Sequence, residues 1–100
     1  MEYMNIVRMQ IKPGKFEEWR KQAQQNLETF KALEGVLEMQ YVQTGENAVC
    51  VVGRWASQDA LAQARPKLTQ GLDKTRDFLE PINDELGVTD PVSGPVILKA

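Results

Sequence analysis

Residues Val36 to Trp55 read VLEMQYVQ-TGEN-AVCVVGRW, and this stretch decides the fold. On both sides of Thr44-Gly45-Glu46-Asn47, β-branched, aromatic and other apolar residues recur at alternate positions, the signature of half-buried strands. The polar segment between them contains a glycine and reads as a hairpin loop. Val36–Gln43 and Ala48–Trp55 are therefore expected to pair antiparallel.

Working outward, the segment before the hairpin changes period. Phe16, Trp19, Ala23, Leu27, Phe30 and Leu33 are spaced by three and four, which predicts one apolar face of a helix over Phe16–Glu34. That is about five turns, with Gly35 as the residue that ends it. Lys12-Pro13-Gly14-Lys15 is a turn, because proline fixes φ and glycine permits a positive one. Tyr3–Ile11 alternates as a strand. After the hairpin, Ser57 is a candidate N-cap and Asp59 sits where the helix dipole favours a carboxylate. Leu61, Ala64, Leu68, Leu72, Leu79 and Ile82 continue the apolar pattern. Pro66 and Pro81 predict a short helix, a break, and a longer helix ending near Pro81. Residues Thr89–Pro95 read as a loop and Val96–Lys99 as the closing strand.

The resulting order, βαββαβ, predicts a ferredoxin-like α+β domain over residues 1–100, an antiparallel sheet with both helices on one face. Alternation separates the faces. Tyr3, Asn5, Val7, Met9, Ile11, Leu37, Met39, Tyr41, Val49, Val51, Gly53 and Trp55 form the more apolar row and are placed under the helices. The other row holds Ile6, Val36, Val42, Cys50 and Val52, too apolar to face water. It also holds Arg8, Arg54 and Glu38, which call for partners. A second copy packed sheet to sheet would cover the first group and pair the second, which predicts a homodimer, a dimeric α+β barrel.

Composition narrows the function. Fourteen acidic against 12 basic residues leave a net charge of −2, with lysines and arginines scattered, so nucleic acid is not an expected partner. No apolar run approaches the ~20 residues of a membrane span. The first residues lack the basic-then-apolar order of a signal peptide, so a cytoplasmic location is expected. Cys50 is the single cysteine, and its place among valines reads as a buried, inert thiol. With no histidine, the usual catalytic triads and zinc sites are absent, and no glycine-rich phosphate loop occurs. Neither a metal nor a cofactor is expected. Adjacent acids at Glu17-Glu18 and Asp84-Glu85 read as solvated surface.

What remains is a pocket beneath the helices. Asn5 is the polar exception in an apolar row, and a buried amide without partners costs about 1–3 kcal/mol. It is either satisfied by its neighbours or aimed at a ligand. Tyr3 and Tyr41 share its face, each with an apolar body and a polar tip. Trp19 lies on the inward side of the first helix and Trp55 ends the third strand; core packing is the alternative reading of both. Asn5 and Tyr41 are the candidate catalytic residues, and Tyr3, Trp19 and Trp55 the candidate substrate-binding residues. A ligand site would require a cavity of ~300 Å³ or more beside Asn5.

The Lys12-Pro13-Gly14-Lys15-Phe16 turn, Glu34-Gly35-Val36-Leu37, Gly53-Arg54-Trp55-Ala56-Ser57-Gln58-Asp59-Ala60 and Gly94-Pro95-Val96 together resemble the antibiotic biosynthesis monooxygenase-like family of dimeric α+β barrels. The resemblance spans nearly the whole chain and is carried at the level of the fold. It implies a small-molecule pocket protein, of which a cofactor-independent monooxygenase acting on phenolic or polycyclic aromatic compounds is one form. The family's haem-degrading branch uses an asparagine, a helical tryptophan and a helical histidine. Here those positions fall on Val7, near Arg65, and near Lys74 or Thr75, so haem degradation is disfavoured. A non-catalytic ligand-binding or stress-associated dimer, and a dimer with a solid core, are the other readings.

Overall fold

The computed structural model describes residues 1–100. Strand β1 (Tyr3–Ile11) lies inside a five-stranded antiparallel sheet, with β3 (Ala48–Trp55) on one side and β2 (Val36–Gln43) beyond it. Its other edge is shared by two short strands. β4 (Leu79–Glu80) pairs with Gln10 and Ile11, and β5 (Asp90–Pro95) pairs with Tyr3 through Arg8. Helices α1 (Phe16–Phe30) and α2 (Gln58–Asp73) cover one face. This is the ferredoxin-like α+β arrangement, its fourth strand divided in two.

Four local expectations are corrected. Helix α1 stops at Phe30, and Gly35 is not its cap. Gly35 instead turns the chain into β2 with φ at +82°, where a Cβ would also lie 2.5 Å from that of Ala60. Helix α2 does not break at Pro66. Pro66 and Ala62, whose carbonyl loses its partner, are both exposed, so water can take the freed acceptor. Nor does a helix extend to Pro81: a 3-10 turn at Arg76–Phe78 leads directly into β4, which sets Leu79 in the core at 2% exposure.

The closing strand is Asp90–Pro95, not Val96–Lys99. Two prolines and a glycine made the segment read as a loop. An edge strand tolerates proline where the nitrogen faces outward, and Pro91 and Pro95, four residues apart, share one phase. Beyond it, Val96 N–H donates to Glu2 O at 2.9 Å, and Ile97 and Leu98 are exposed.

The strand faces fall as the alternation predicts, with one exception. A bulge between Val36 and Glu38 leaves Val36 opposite Trp55 on the helix side and Leu37 exposed, the reverse of the simple alternation. The interior divides into two clusters. Met9, Ile11, Trp19, Ala23, Val49, Val51 and Leu79 form one, and Trp55, Leu61 and Ala64 the other.

On the bare face, Ile6, Val52 and Val92 stand side by side across β3, β1 and β5. The charges around them are matched within the chain. Arg8 binds Asp90 of β5, and Arg54 reaches Glu2 at 3.1 Å and Glu38 at 3.4 Å. Arg8 therefore pairs with Asp90 rather than Glu38, and neither arginine needs a carboxylate from a second copy. No helix is long and apolar enough to cross a membrane.

Candidate functional site

Register builds the site. Asn5 on β1 stands opposite Gly53 on β3, and Trp55, two residues further along β3, projects on the same face. Because Gly53 carries no side chain, the two polar groups meet across it: Trp55 Nε1–H donates to Asn5 Oδ1 at 2.7 Å. A Cβ on residue 53 would lie 2.3 Å from Oδ1 and 2.9 Å from Nε1, so glycine is required.

An indole N–H can only donate, so this bond assigns the acceptor end of the amide to Trp55. The donor end, Asn5 Nδ2, is turned the other way. It has no acceptor within the protein, and since no sealed-off polar side-chain atom lacks a partner, it keeps accessible surface. Asn5 is among the residues that line a cavity of about 200 Å³ between sheet and helices. Asn5 is thus satisfied at its oxygen by a neighbour, the first of the two alternatives the sequence left, and it also lines the cavity.

The sheet contributes Asn5, Met9 and Val51 to this space, and α1 contributes Trp19, Asn26 and Phe30. The exposed side chains of Arg65 and Thr69 on α2 bring it to the surface. A second cavity of about 250 Å³ adjoins it under the N-terminal half of α1, beside Phe16 and Arg20. Trp19, Ala23 and Tyr41 line both. Trp19 and Tyr41 have ring centroids 5.8 Å apart at 59°, and Phe16 extends the aromatic row 5.5 Å beyond Trp19. The space beside Asn5 is smaller than the ~300 Å³ taken as the mark of a ligand site, and this aromatic pair stands on the walls of both cavities.

Tyr41 makes no hydrogen bond within the chain, and burial pushes its pKa up to about 12 from the usual 10.0. At ordinary pH it is a neutral donor on the cavity wall. The unfolded chain loses this proton near pH 10, the folded chain only near pH 12. Between those values the unfolded state binds fewer protons, so stability falls as pH rises, by about 2–3 kcal/mol in all. Urea unfolding across the alkaline range should show this decline, and Tyr41→Phe should remove it.

The other sequence-derived candidates are placed as follows. Trp19 is 4% exposed and lines both cavities. Trp55 has no exposed surface and lies behind Asn5 rather than on the cavity wall. Tyr3 packs against the Trp55–Leu61–Ala64 cluster, away from the cavity. Asn26 was missed. Gln22 Nε2 donates to its Oδ1 at 3.0 Å, and its Nδ2 donates to Gly71 O at 2.8 Å, tying α1 to α2. The signal was present in the spacing Trp19, Ala23, Asn26, Phe30, with a polar residue on an otherwise buried face. Arg65 and Thr69 gave no signal, because charged and hydroxyl side chains on a helix usually face water. No three His, Cys, Asp or Glu residues cluster as metal ligands would.

The antibiotic biosynthesis monooxygenase family model matches residues 2–66, from β1 through the first half of α2, including Asn5, Trp19, Tyr41 and Trp55. The chain belongs to this family. No curated protein matches its sequence. Solved structures share the fold at low identity. SnoaB, a cofactor-independent oxygenase from Streptomyces nogalater, is 12% identical with a TM-score of 0.78, covering 98% of this chain and 95% of its own. Rv0793 from Mycobacterium tuberculosis is 14% identical with a TM-score of 0.80, covering 100% and 99%. A conserved protein from Methanosarcina mazei Go1 is 15% identical with a TM-score of 0.79, covering 95% and 92%. At these identities the likeness is one of fold.

Proposed function

We propose that this family member is a cofactor-independent monooxygenase of phenolic aromatic compounds, working as a homodimer. The observation that carries the reading is the free Nδ2 of Asn5, held towards an apolar cavity by the bond that Trp55 makes to the other end of the amide. A phenol oxygen accepting from Nδ2 would be stabilised as its anion, and Tyr41, a neutral phenol, is a second donor on the same wall. The bound anion then supplies the electrons for dioxygen. The ring carbon para to that oxygen exchanges its single hydrogen for one oxygen atom of O2; this hydrogen and the phenol's own proton leave with the other oxygen as water, and a quinone results. That SnoaB, a protein of the same fold, is a cofactor-independent oxygenase supports the reading. Since a ~150 Å³ cavity admits a single benzene ring, about 200 Å³ suits one or two fused rings. A polycyclic substrate would require the Trp19–Tyr41 pair to part and join the two cavities.

The test is oxygen uptake by the purified protein with hydroxylated naphthalenes and with anthrone. Wild type should consume one dioxygen per quinone formed. Asn5→Ala should lower kcat by about 10²–10³-fold, the usual effect of losing one oxyanion donor. Equal rates would remove Asn5 from the mechanism. Binding without uptake would instead support the non-catalytic ligand-binding dimer, which the lack of any carboxylate or histidine on the cavity wall favours.

The homodimer is proposed from the bare sheet face. Val92 is 59% and Val42 44% exposed there, beside Ile6 and Val52. Its arginines are already matched within the chain, so a second copy could cover this face without stranding a charge.

A further inference from the structure

The cavity beside Asn5 has an unbalanced electrical lining. The chain carries 14 carboxylate side chains against 12 cationic ones, yet no Asp or Glu lines the cavity and one cation does, Arg65. Ion pairs elsewhere engage Arg8, Lys15, Lys31, Arg54, Arg76 and Lys99; Arg65 has neither a carboxylate partner nor a side-chain hydrogen bond. It stands on α2 one turn before Thr69, so the two side chains share a face of the helix and both line the cavity. Asn5 lies on the sheet at the opposite side of the same space, with Met9 and Val51 beside it.

From this arrangement we infer that the natural ligand is an aromatic acid: a hydroxylated ring system bearing a carboxylate, its phenol oxygen at Asn5 Nδ2 and its carboxylate at Arg65. A planar guanidinium presents paired donors that match a carboxylate. An apolar wall beside it lowers the local dielectric, so the attraction exceeds that of a pair in open water. A neutral phenol of the same size would leave Arg65 without a function in the site. Arg65 is thus a specificity-determining residue, and it selects by charge. The inference rests on the cavity being the ligand site, as proposed above, but not on oxygen chemistry.

Isothermal titration calorimetry at neutral pH separates the two. The probes are 6-hydroxy-2-naphthoate and 2-naphthol, which share the ring and hydroxyl and differ in the carboxylate at the far end of the ring. Wild type should bind the acid about tenfold or more tighter than the naphthol, the usual return of one charge-assisted hydrogen bond. Arg65→Gln should abolish that preference, with the loss falling on the acid far more than on the naphthol; the side chain is exposed and makes no internal bond, so folding is not at stake. Arg65→Lys should retain part of the preference, and Arg20→Gln, at the neighbouring cavity, should retain all of it. Naphthol bound as tightly as the acid would overturn the inference and leave the pocket standing. If Arg20→Gln rather than Arg65→Gln removed the preference, the assignment to Arg65 would fall. Binding of neither compound would overturn the pocket itself.

Discussion

Trp55→Ala is expected to lower the unfolding free energy by about 3–5 kcal/mol, the usual cost of truncating a fully buried tryptophan. The indole has no exposed surface, packs with Leu61 and Ala64, and fixes Asn5. A domain of this size has roughly 5–15 kcal/mol of stability in total, so a large share of it is at stake. Urea unfolding should show the loss as a lower midpoint at unchanged slope. Trp55→Phe separates the two roles of the residue. It keeps most of the ring and removes the N–H, so a smaller cost of about 1–3 kcal/mol is expected. Freed of its donor, the Asn5 amide can turn over, and oxygen uptake should fall further than the stability loss accounts for. A cost below about 1 kcal/mol for Trp55→Ala would show that the surrounding cluster collapses to fill the space.

The second large effect is on assembly. Ile6→Asp places an unpaired carboxylate at the centre of the bare sheet face, between Val52 and Val92. Covering it with another copy would cost several kcal/mol, because a charge removed from water without a partner is rarely tolerated. The dimer dissociation constant should rise at least about 100-fold, equivalent to about 2.8 kcal/mol. Light scattering at micromolar concentration should report a dimer for wild type and a monomer for the variant. A wild-type monomer under those conditions would refute the homodimer.

Much of the fold was legible in local pattern. Strands β1, β2 and β3 were readable to the residue, because each is long enough for the two-residue alternation to be unambiguous and each is bounded by a turn or a helix cap. The start of α2 was equally plain: Ser57 Oγ accepts from Ala60 N–H at 3.1 Å, the cap that its residue type announces. The last third of the chain was not legible. Leu79 lies in register with a helical pattern, yet its position is set by pairing with Ile11, a contact between residues far apart in the sequence. Asp90–Pro95 has the composition of a loop and becomes a strand because β1 offers it an edge. Arg8 was assigned the wrong carboxylate for the same reason, since Asp90 is its neighbour only once β5 pairs with β1.

By itself the sequence determined the order of elements from β1 to the start of α2, which face of the sheet the helices cover, and that Asn5 stands as a lone amide in an apolar row. Those follow from periodicity and side-chain chemistry, which act over a few residues. Tertiary structure alone decided which end of that amide is free, because the answer depends on Trp55 arriving across Gly53 on another strand. It likewise divided the space beneath the helices through the Trp19–Tyr41 pair, and brought Arg65 to the cavity unaccompanied by any acid. Each of these is a meeting of groups distant in the chain, whose free energy exists only after the backbone has closed the distance between them.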